Sequence, residues 1–186
     1  MRVISGASKG KVLKIPKGLH TRPTSDKVKE ALFSMIHFHI PGSIVLDLFS
    51  GTGSLGIEAL SRGAEKAYFV DNHPKSIQTI KENIHSTGYG SKSVVLFCDA
   101  QKAIQKLVSA DEQIDIVFMD PPYHENLILP CIYTMIEKKL LKKTGLLIIE
   151  HDQKEKLPEC IDILSKIKEK RYGNTRITIY AEEEKR

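Results

Sequence analysis

Short runs of almost wholly apolar residues alternate along this chain with longer segments whose apolar residues recur every three or four positions. The apolar runs occupy residues 44–49, 67–71, 94–98, 114–120 and 145–151. Strands that are apolar throughout are buried on both faces, and the period of the intervening segments is that of amphipathic helices. The pattern therefore predicts an α/β fold with a parallel sheet covered by helices on both faces.

The two ends of the chain follow a different pattern. Residues 166–183 alternate polar and apolar positions around Gly173-Asn174, which predicts an antiparallel hairpin and a mostly parallel sheet of seven strands. At the other end, two short strand-like runs flank the turn GASKG and predict an N-terminal β-hairpin, followed by a helix with Asp26 in its first turn. We therefore divide the chain into an extension over residues 1–42 and a core over residues 43–186.

The charge is unevenly distributed. The first 30 residues carry eight basic and two acidic side chains, whereas the other 156 residues carry 20 and 21. Because Lys and Arg that neutralise phosphates release counterions, this basic arm is predicted to bind a nucleic acid. A solvated arm without a partner is the alternative. The residues expected to contact RNA are Arg2, Lys9, Lys11 and Arg22.

Several classes of protein do not fit this composition. No apolar run approaches the roughly 20 residues of a membrane-spanning helix, and the N-terminus lacks the apolar segment of a secretory signal. We therefore expect a cytoplasmic protein. The three cysteines, Cys98, Cys131 and Cys160, have neither a metal-binding nor a redox spacing, so no metal site is expected.

The first apolar run leads into a glycine-rich turn that ends in GTGSLG. Such a turn lets a ligand approach the backbone amides, and by itself it also matches a nicotinamide-binding Rossmann enzyme. Asp47 inside the strand favours S-adenosyl-L-methionine instead, because the methionyl end of that cofactor carries an ammonium group. The candidate cofactor-binding residues of this turn are Asp47, Phe49, Gly51 and Gly53.

Acidic residues also mark the ends of the next two apolar runs, Asp71 as the last residue of the second and Asp99 directly after the third. Asp71 is suited to accept hydrogen bonds from both ribose hydroxyls, with Asn72 beside it. Asp99 can accept from an adenine amine, and the Ala100 amide can donate to a ring nitrogen. Each aspartate also has a purely structural interpretation, Asp71 as a surface residue and Asp99 as a helix cap. The joint pattern at successive strand ends favours a cofactor site.

The fourth apolar run ends in Asp120-Pro121-Pro122-Tyr123. The prolines remove two backbone donors, which leaves carboxylate and carbonyl acceptors beside an aromatic ring. Asp120 and the Pro121 carbonyl can each accept one hydrogen of an exocyclic amine, while Tyr123 can stack on the base. We therefore predict Asp120, Pro121 and Tyr123 as catalytic residues.

DPPY behind a DxFxGxG turn resembles the amino-methyltransferases that act on nucleobases. The N-terminal segment RVISGASKGKVLKIPKGLHTRPTSDKVKEALFSMI, together with VLDLFSGTGSLGIEALSRGA and RYGNTRITIY, resembles the bacterial RsmD-type 16S rRNA guanine-N2 methyltransferases over essentially the whole chain. The resemblance implies a Rossmann-like class I methyltransferase fold with a β-hairpin extension. It also implies one guanine of 16S rRNA as the substrate, within an assembling small ribosomal subunit, and a monomeric enzyme.

Three other functions remain open at this point. A DNA or RNA methyltransferase acting on adenine N6 or cytosine N4 would share DPPY, although about 43 residues before the first core strand leave little room for a separate recognition domain. A non-catalytic RNA-binding assembly factor would not need the acceptors at 120–123. A Rossmann dehydrogenase would need a catalytic pair that is not evident.

Overall fold

A computed structural model describes residues 1–16, 26–122 and 126–183. Its central feature is a sheet of eight strands in the order β3-β2-β1-β4-β5-β8-β7-β6. The strands are β1 (Ile44–Asp47), β2 (Lys66–Asp71), β3 (Ser93–Phe97), β4 (Ile114–Met119), β5 (Leu141–Asp152), β6 (Cys160–Ile161), β7 (Leu164–Tyr172) and β8 (Thr175–Glu182). The α-helices are α1 (Asp26–Met35), α2 (Ser54–Ser61), α3 (Pro74–Thr87), α4 (Ala100–Ser109) and α5 (Ile128–Glu137).

The pairing of the strands confirms the predicted mixed sheet. Strands β1 to β5 are parallel, and β8 is antiparallel to both β5 and β7. The sheet has one strand more than the seven predicted, because β6 has only two residues and is too short to show a period. Strand β5 also begins at Leu141, before the predicted apolar run, because Leu141 pairs with Ile114 of β4 and an irregularity in the register separates this pair from the next, Ile116 with Leu146.

Each face of the sheet carries its own apolar core. Helices α1, α2 and α3 cover one face, where Phe33 of α1 packs on Phe118 of β4 with ring centroids 5.5 Å apart. Helices α4 and α5 cover the other face, around Leu46, Val117 and Leu147. Burial on both faces is the reason that the parallel strands read as continuous apolar runs. None of the helices within the described ranges is long and apolar enough to cross a membrane.

The N-terminal extension shares the core of the first face. Its two predicted runs form a hairpin with a bridge between Arg2 and Val12, and the Val3 and Leu13 amides donate to the Lys11 and Met1 carbonyls across it. The side chains of Val3 and Leu13 are buried against the helices. The backbone amides of Ile4 and Ser5 both donate to the buried carboxylate of Glu58 on α2, at 2.7 and 3.0 Å. The extension is therefore packed into the same core as the sheet.

The loop of this hairpin lies against the C-terminal end of α2. Gly6 has a φ of +84°, and a Cβ built on it would lie 1.8 Å from the Ser61 carbonyl oxygen, so no larger residue fits there. Ala7 donates its amide to the same oxygen at 2.8 Å. Since α2 starts at the carboxyl ends of the parallel strands, its C-terminus lies at their amino ends. The loop is consequently at the edge of the sheet opposite to the strand ends predicted to bind ligands.

Candidate active site

The carboxyl ends of the parallel strands gather the acidic residues predicted from the sequence. Asp47 is the last residue of β1, Asp71 is the last of β2, and Asp120 directly follows β4. These three carboxyl groups are close enough to affect one another electrostatically. Asp99 follows β3, farther along the same edge. The structure therefore brings together most of the predicted site residues.

Asp47 is a buried carboxyl group beneath the glycine-rich turn. Only 2% of its surface is exposed, and it accepts a hydrogen bond from the Gly56 amide at 3.1 Å. Burial raises the pKa of Asp47 from 3.8 to about 7, the Gly56 amide opposes this, and the charge of Asp71 adds to it. Such a group gains most from a nearby positive charge.

The turn above Asp47 takes a shape that suits glycine. Gly51 and Gly53 have φ angles of +55° and +77°, in the left-handed region that other residues rarely adopt. Phe49 at the start of the turn is partly buried against the core of the second face. The two glycines leave the backbone of the turn without side chains at these positions.

Two polar residues that the sequence did not single out hold this turn in place. The Ser50 hydroxyl donates to the Asp47 carbonyl at 2.6 Å and accepts from the Val70 amide at 2.9 Å. Asn83, fully buried on α3, donates to the Thr52 carbonyl at 2.9 Å and accepts from the Lys14 amide at 2.8 Å. A polar residue between Ile80 and Ile84 in an apolar helical stripe is the signal that points to Asn83.

Asp71 links the first two strand ends. One carboxylate oxygen accepts from the Gly51 amide at 2.9 Å, and the other accepts from the His73 amide at 2.8 Å. Asp71 is half-buried and Asn72 is exposed. The carboxylate is thus anchored to the glycine-rich turn, and each oxygen keeps lone pairs for a ligand.

Asp99 has the structural role that was its alternative interpretation. It is the N-cap of α4, where it accepts from the Lys102 amide at 2.9 Å, and it forms an ion pair with the Lys102 ammonium at 3.1 Å. The hydrogen bonds from Lys102 lower the pKa of Asp99. Ala100 beside it is half-buried. The cap and the ion pair use different carboxylate oxygens, and a cofactor role for Asp99 stays a prediction.

Asp120 lies next to a second carboxyl group that the sequence analysis missed. Met119 pairs in register with Ile149, so Asp120 and Glu150, the following residues, are neighbours on β4 and β5. Glu150 is 7% exposed. Burial, then the charges of Glu150 and Asp47, raise the pKa of Asp120 well above its usual value of 3.8. An acidic residue at the end of the fifth apolar run, IIEH, was the available signal for Glu150.

The Asp-Pro-Pro-Tyr motif is described only in part. Pro121 is buried and Pro122 is exposed, whereas Tyr123 lies outside the described residues. The predicted stacking of Tyr123 on a base stays a prediction. Over residues 1–16, 26–122 and 126–183, no group of three His, Cys, Asp or Glu side chains is arranged to hold a metal ion.

Several cations in the described part of the N-terminal extension have partners within the chain. Arg2 forms an ion pair with Asp26 at 3.3 Å, and the Lys11 ammonium donates to the Ser86 and Thr87 carbonyls, each at 3.3 Å, at the end of α3. Lys9 is exposed in the hairpin loop, and Arg22 lies outside the described residues. RNA contacts by these four residues stay a prediction.

Lys29 is a cation of the N-terminal extension that contributes to packing inside the protein. It is fully buried in an ion pair with Glu58 at 3.5 Å, and it donates to the Arg2 carbonyl at 2.7 Å. Burial lowers the pKa of Lys29 despite the nearby Glu58 carboxylate. A residue counted as part of a basic arm therefore stabilises the contact between the extension and α2.

A parallel sheet with a glycine-rich turn after β1, acidic residues ending its strands and an antiparallel strand beside β5 has the fold of class I methyltransferases. The family model described as "Conserved hypothetical protein 95" matches residues 1–181. The chain belongs to this family, which is the RsmD family that its motifs resemble. The predicted methyltransferase fold and family are thereby confirmed.

Individual relatives are similar over nearly the whole chain. "Putative rRNA methyltransferase YlbH" of Bacillus subtilis is 41% identical over 97% of this chain and 98% of its own. "Ribosomal RNA small subunit methyltransferase D" of Haemophilus influenzae is 33% identical over 97% and 93%. The solved structure "Putative methyltransferase yhhF" from Escherichia coli is 30% identical and superimposes with a TM-score of 0.85 over 98% of each chain. The chain is a methyltransferase.

Proposed function

We propose that this enzyme transfers a methyl group from S-adenosyl-L-methionine to the exocyclic N2 amine of a guanine in 16S rRNA. The observation that carries the proposal is the acceptor group at the carboxyl end of β4, where Asp120 and Pro121 stand beside Glu150 and near Asp47. The names of the relatives, which specify rRNA and the small ribosomal subunit, support the substrate. A substrate in the assembling small subunit implies a cytoplasmic enzyme, and we expect it to act as a monomer.

The residues around Asp47 fit the proposed cofactor. The buried Asp47 carboxyl group, with its raised pKa, would be stabilised by an ammonium group such as that of the methionyl moiety. Gly51 and Gly53 leave the adjoining backbone open, and Asp71 has lone pairs left for the ribose hydroxyls. When bound, S-adenosyl-L-methionine supplies a methyl group on a positively charged sulfur.

Asp120 and Pro121 supply acceptors rather than a covalent nucleophile. The carboxylate of Asp120 and the carbonyl of Pro121 each accept one hydrogen of the N2 amine and thereby direct its lone pair at the methyl carbon. As the nitrogen–carbon bond forms and the carbon–sulfur bond breaks, positive charge appears on the amine, so these acceptors stabilise the transition state more than the ground state. The amine then loses one proton, and a raised pKa makes Asp120 a suitable acceptor for it.

The pairing of Asp120 with Glu150 favours guanine among the bases that carry an exocyclic amine. Guanine has two adjacent donors on its Watson–Crick edge, the N1–H and the N2 amine. Adenine and cytosine have a ring nitrogen lone pair beside their amine, which a carboxylate repels. Two neighbouring carboxyl groups can therefore accept from both guanine donors. The base must leave its stack to reach them, as in other enzymes that modify bases.

The proposal is tested by mapping the product. The protein is incubated with labelled S-adenosyl-L-methionine and small ribosomal subunits that lack the modification, and in parallel with protein-free 16S rRNA. Mass spectrometry of the nucleosides should reveal N2-methylguanosine, and the Asp120→Ala variant serves as the control. Labelled N6-methyladenosine or N4-methylcytidine would overturn the choice of base. Cofactor binding without any methylated nucleoside would favour an assembly factor.

A further inference from the structure

The acidic character of the site raises the question of what holds the phosphates of its substrate. Asp47, Asp71, Asp120 and Glu150 repel phosphate groups, so RNA that delivers a base to this pocket needs cations beside it. Most of the described cations of the N-terminal extension are paired or lie away from the site. Arg2, Lys14 and Lys29 have carboxylate partners within the chain, and Lys9 and Lys11 lie toward the opposite edge of the sheet.

Strand β7 carries exposed cations that are not engaged by carboxylates. Lys168, Lys170 and Arg171 are exposed, and none of them forms an ion pair with a carboxylate in the part of the chain that the structure describes. By contrast, Lys166 and Arg176 both pair with Glu169. The three unpaired cations thus differ from their neighbours in being available to a partner.

The register of the sheet aligns this strand with the active site. Glu150 of β5 pairs with Ile177 of β8, and Ile177 pairs with Lys170 of β7. Asp120 follows Met119, which pairs with Ile149, so Asp120 lies level with Glu150 at the end of the adjacent β4. Residues aligned in register across adjacent strands project to the same face, and strands are about 4.8 Å apart. Lys170 is therefore about 10 Å from Glu150 and about 14 Å from Asp120, measured between Cα positions.

The other two cations lie on opposite faces of β7, because successive residues of a strand point to opposite faces. Lys168 pairs with Ile179, one row below Lys170 on the same face. Arg171 is near the turn between β7 and β8, and its guanidinium donates to the Gly173 carbonyl at 2.9 Å. The turn itself lies at the carboxyl end of β5, because Gln153 donates to the Asn174 carbonyl at 2.8 Å. Lys168 and Lys170 therefore share the face of Asp120 and Glu150, whereas Arg171 lies at the end of β7 on the opposite face.

We infer that Lys168 and Lys170, which we call the β7 strip, bind the phosphates of the RNA strand whose base enters the Asp120 site. This inference rests on the proposed function for the identity of the nucleic acid. Phosphate contacts of this kind orient a strand without reading its sequence, and the acceptors in the pocket then select the base. The acidic pocket and the basic strip have complementary tasks, since the first excludes phosphates and the second attracts them.

The test is the salt dependence of RNA binding by the Lys168→Gln/Lys170→Gln variant. Each phosphate contact to a single strand contributes about 0.7 to the slope of log K against log salt, so losing two should reduce the slope by about 1.4. Over a tenfold decrease in salt concentration, the wild type should therefore gain roughly 25-fold more affinity for RNA than the variant does. Binding of a 16S rRNA fragment is measured by fluorescence anisotropy over such a tenfold range, from about 0.05 to 0.5 M salt.

A matched control removes the same charge elsewhere. Lys92 and Lys143 are exposed near the amino ends of β3 and β5, and the Lys92→Gln/Lys143→Gln variant should retain nearly the full slope. Calorimetry with S-adenosylhomocysteine should give unchanged cofactor affinity in both variants, which shows that both are folded. An unchanged slope in the Lys168/Lys170 variant, or an equal reduction in the control, would overturn the β7 strip. Absence of methylated guanosine with normal RNA binding would instead contradict the proposed function alone.

Discussion

Asp47→Asn is expected to make the protein more stable at pH 8 and to weaken its binding of the cofactor. Asparagine has nearly the same shape as aspartate and keeps an oxygen for the Gly56 amide, which donates to Asp47 at 3.1 Å. The substitution therefore removes the buried charge with little change in packing. The variant therefore distinguishes the effect of the buried Asp47 charge on folding stability from its proposed effect on cofactor binding.

The magnitude follows from the pKa of Asp47, which burial raises from 3.8 to about 7. Between these pH values the folded protein holds a proton that the unfolded chain has released, so wild-type stability falls as pH rises through this window. One pH unit of such a difference is worth about 1.4 kcal/mol, which gives about 4 kcal/mol across the window. For a domain of this size, that is a difference in Tm of roughly 8–16 °C at pH 8.

The assay compares urea unfolding of the two proteins at pH 4.5, 6 and 8. The variant should gain on the wild type as pH rises, and the gain should level off above pH 7. Asp99→Asn is a control, because hydrogen bonds from Lys102 lower the pKa of Asp99 below 3.8 and its stabilising charge is already complete at pH 4.5. This variant should therefore be less stable than the wild type by the same amount from pH 4.5 to 8. Calorimetry at pH 8 should show S-adenosylhomocysteine affinity reduced by roughly 10- to 150-fold, the loss of one charged interaction.

Two results would refute this reasoning about Asp47. A stability difference between variant and wild type that does not change from pH 4.5 to 8 would mean that Asp47 does not titrate in this window. An Asp47→Asn variant less stable than the wild type at pH 8 would mean that its charge is compensated within the chain.

Four further substitutions test other parts of the site and its support. Asp120→Ala should lower kcat by about 10²–10³ with cofactor affinity within a few-fold, and near-normal single-turnover methylation would exclude the acceptor mechanism. Glu150→Gln should shift the acid limb of the pH profile of kcat to lower pH, because Glu150 is the neighbouring charge that contributes most to raising the pKa of Asp120. An unshifted limb would show that Glu150 does not influence the titration of Asp120. Asp71→Ala should weaken S-adenosylhomocysteine binding roughly 10- to 150-fold, measured by calorimetry, and equal affinity would remove Asp71 from the site. Glu58→Gln should lower the free energy of unfolding by about 3–5 kcal/mol in urea, because Lys29 would be left buried without its counter-charge, and a loss below about 1 kcal/mol would contradict the buried ion pair.

The sequence by itself determined the order of the elements and the edge at which the site lies. Apolar strands and amphipathic helices follow from local periodicity, and the acidic residues that end the first four apolar runs must meet at one edge once those strands are parallel. The family could be recognised from the sequence for a similar reason, because its motifs are contiguous stretches around Asp47 and Asp120. These features depend on spacing along the chain, which is all that a sequence contains.

Only the tertiary structure decided which charged and polar groups face one another. Lys29 reads as one cation of a basic arm, but folding buries it against Glu58, 29 residues away. Glu150 lies 30 residues beyond Asp120, and the register of β4 and β5 makes them neighbours. The sequence locates the excess charge at the N-terminus, whereas Lys168 and Lys170, which have no carboxylate partner among the described residues, are on β7. Electrostatic interactions depend on distance and burial, and both are set by contacts between residues that are remote along the chain.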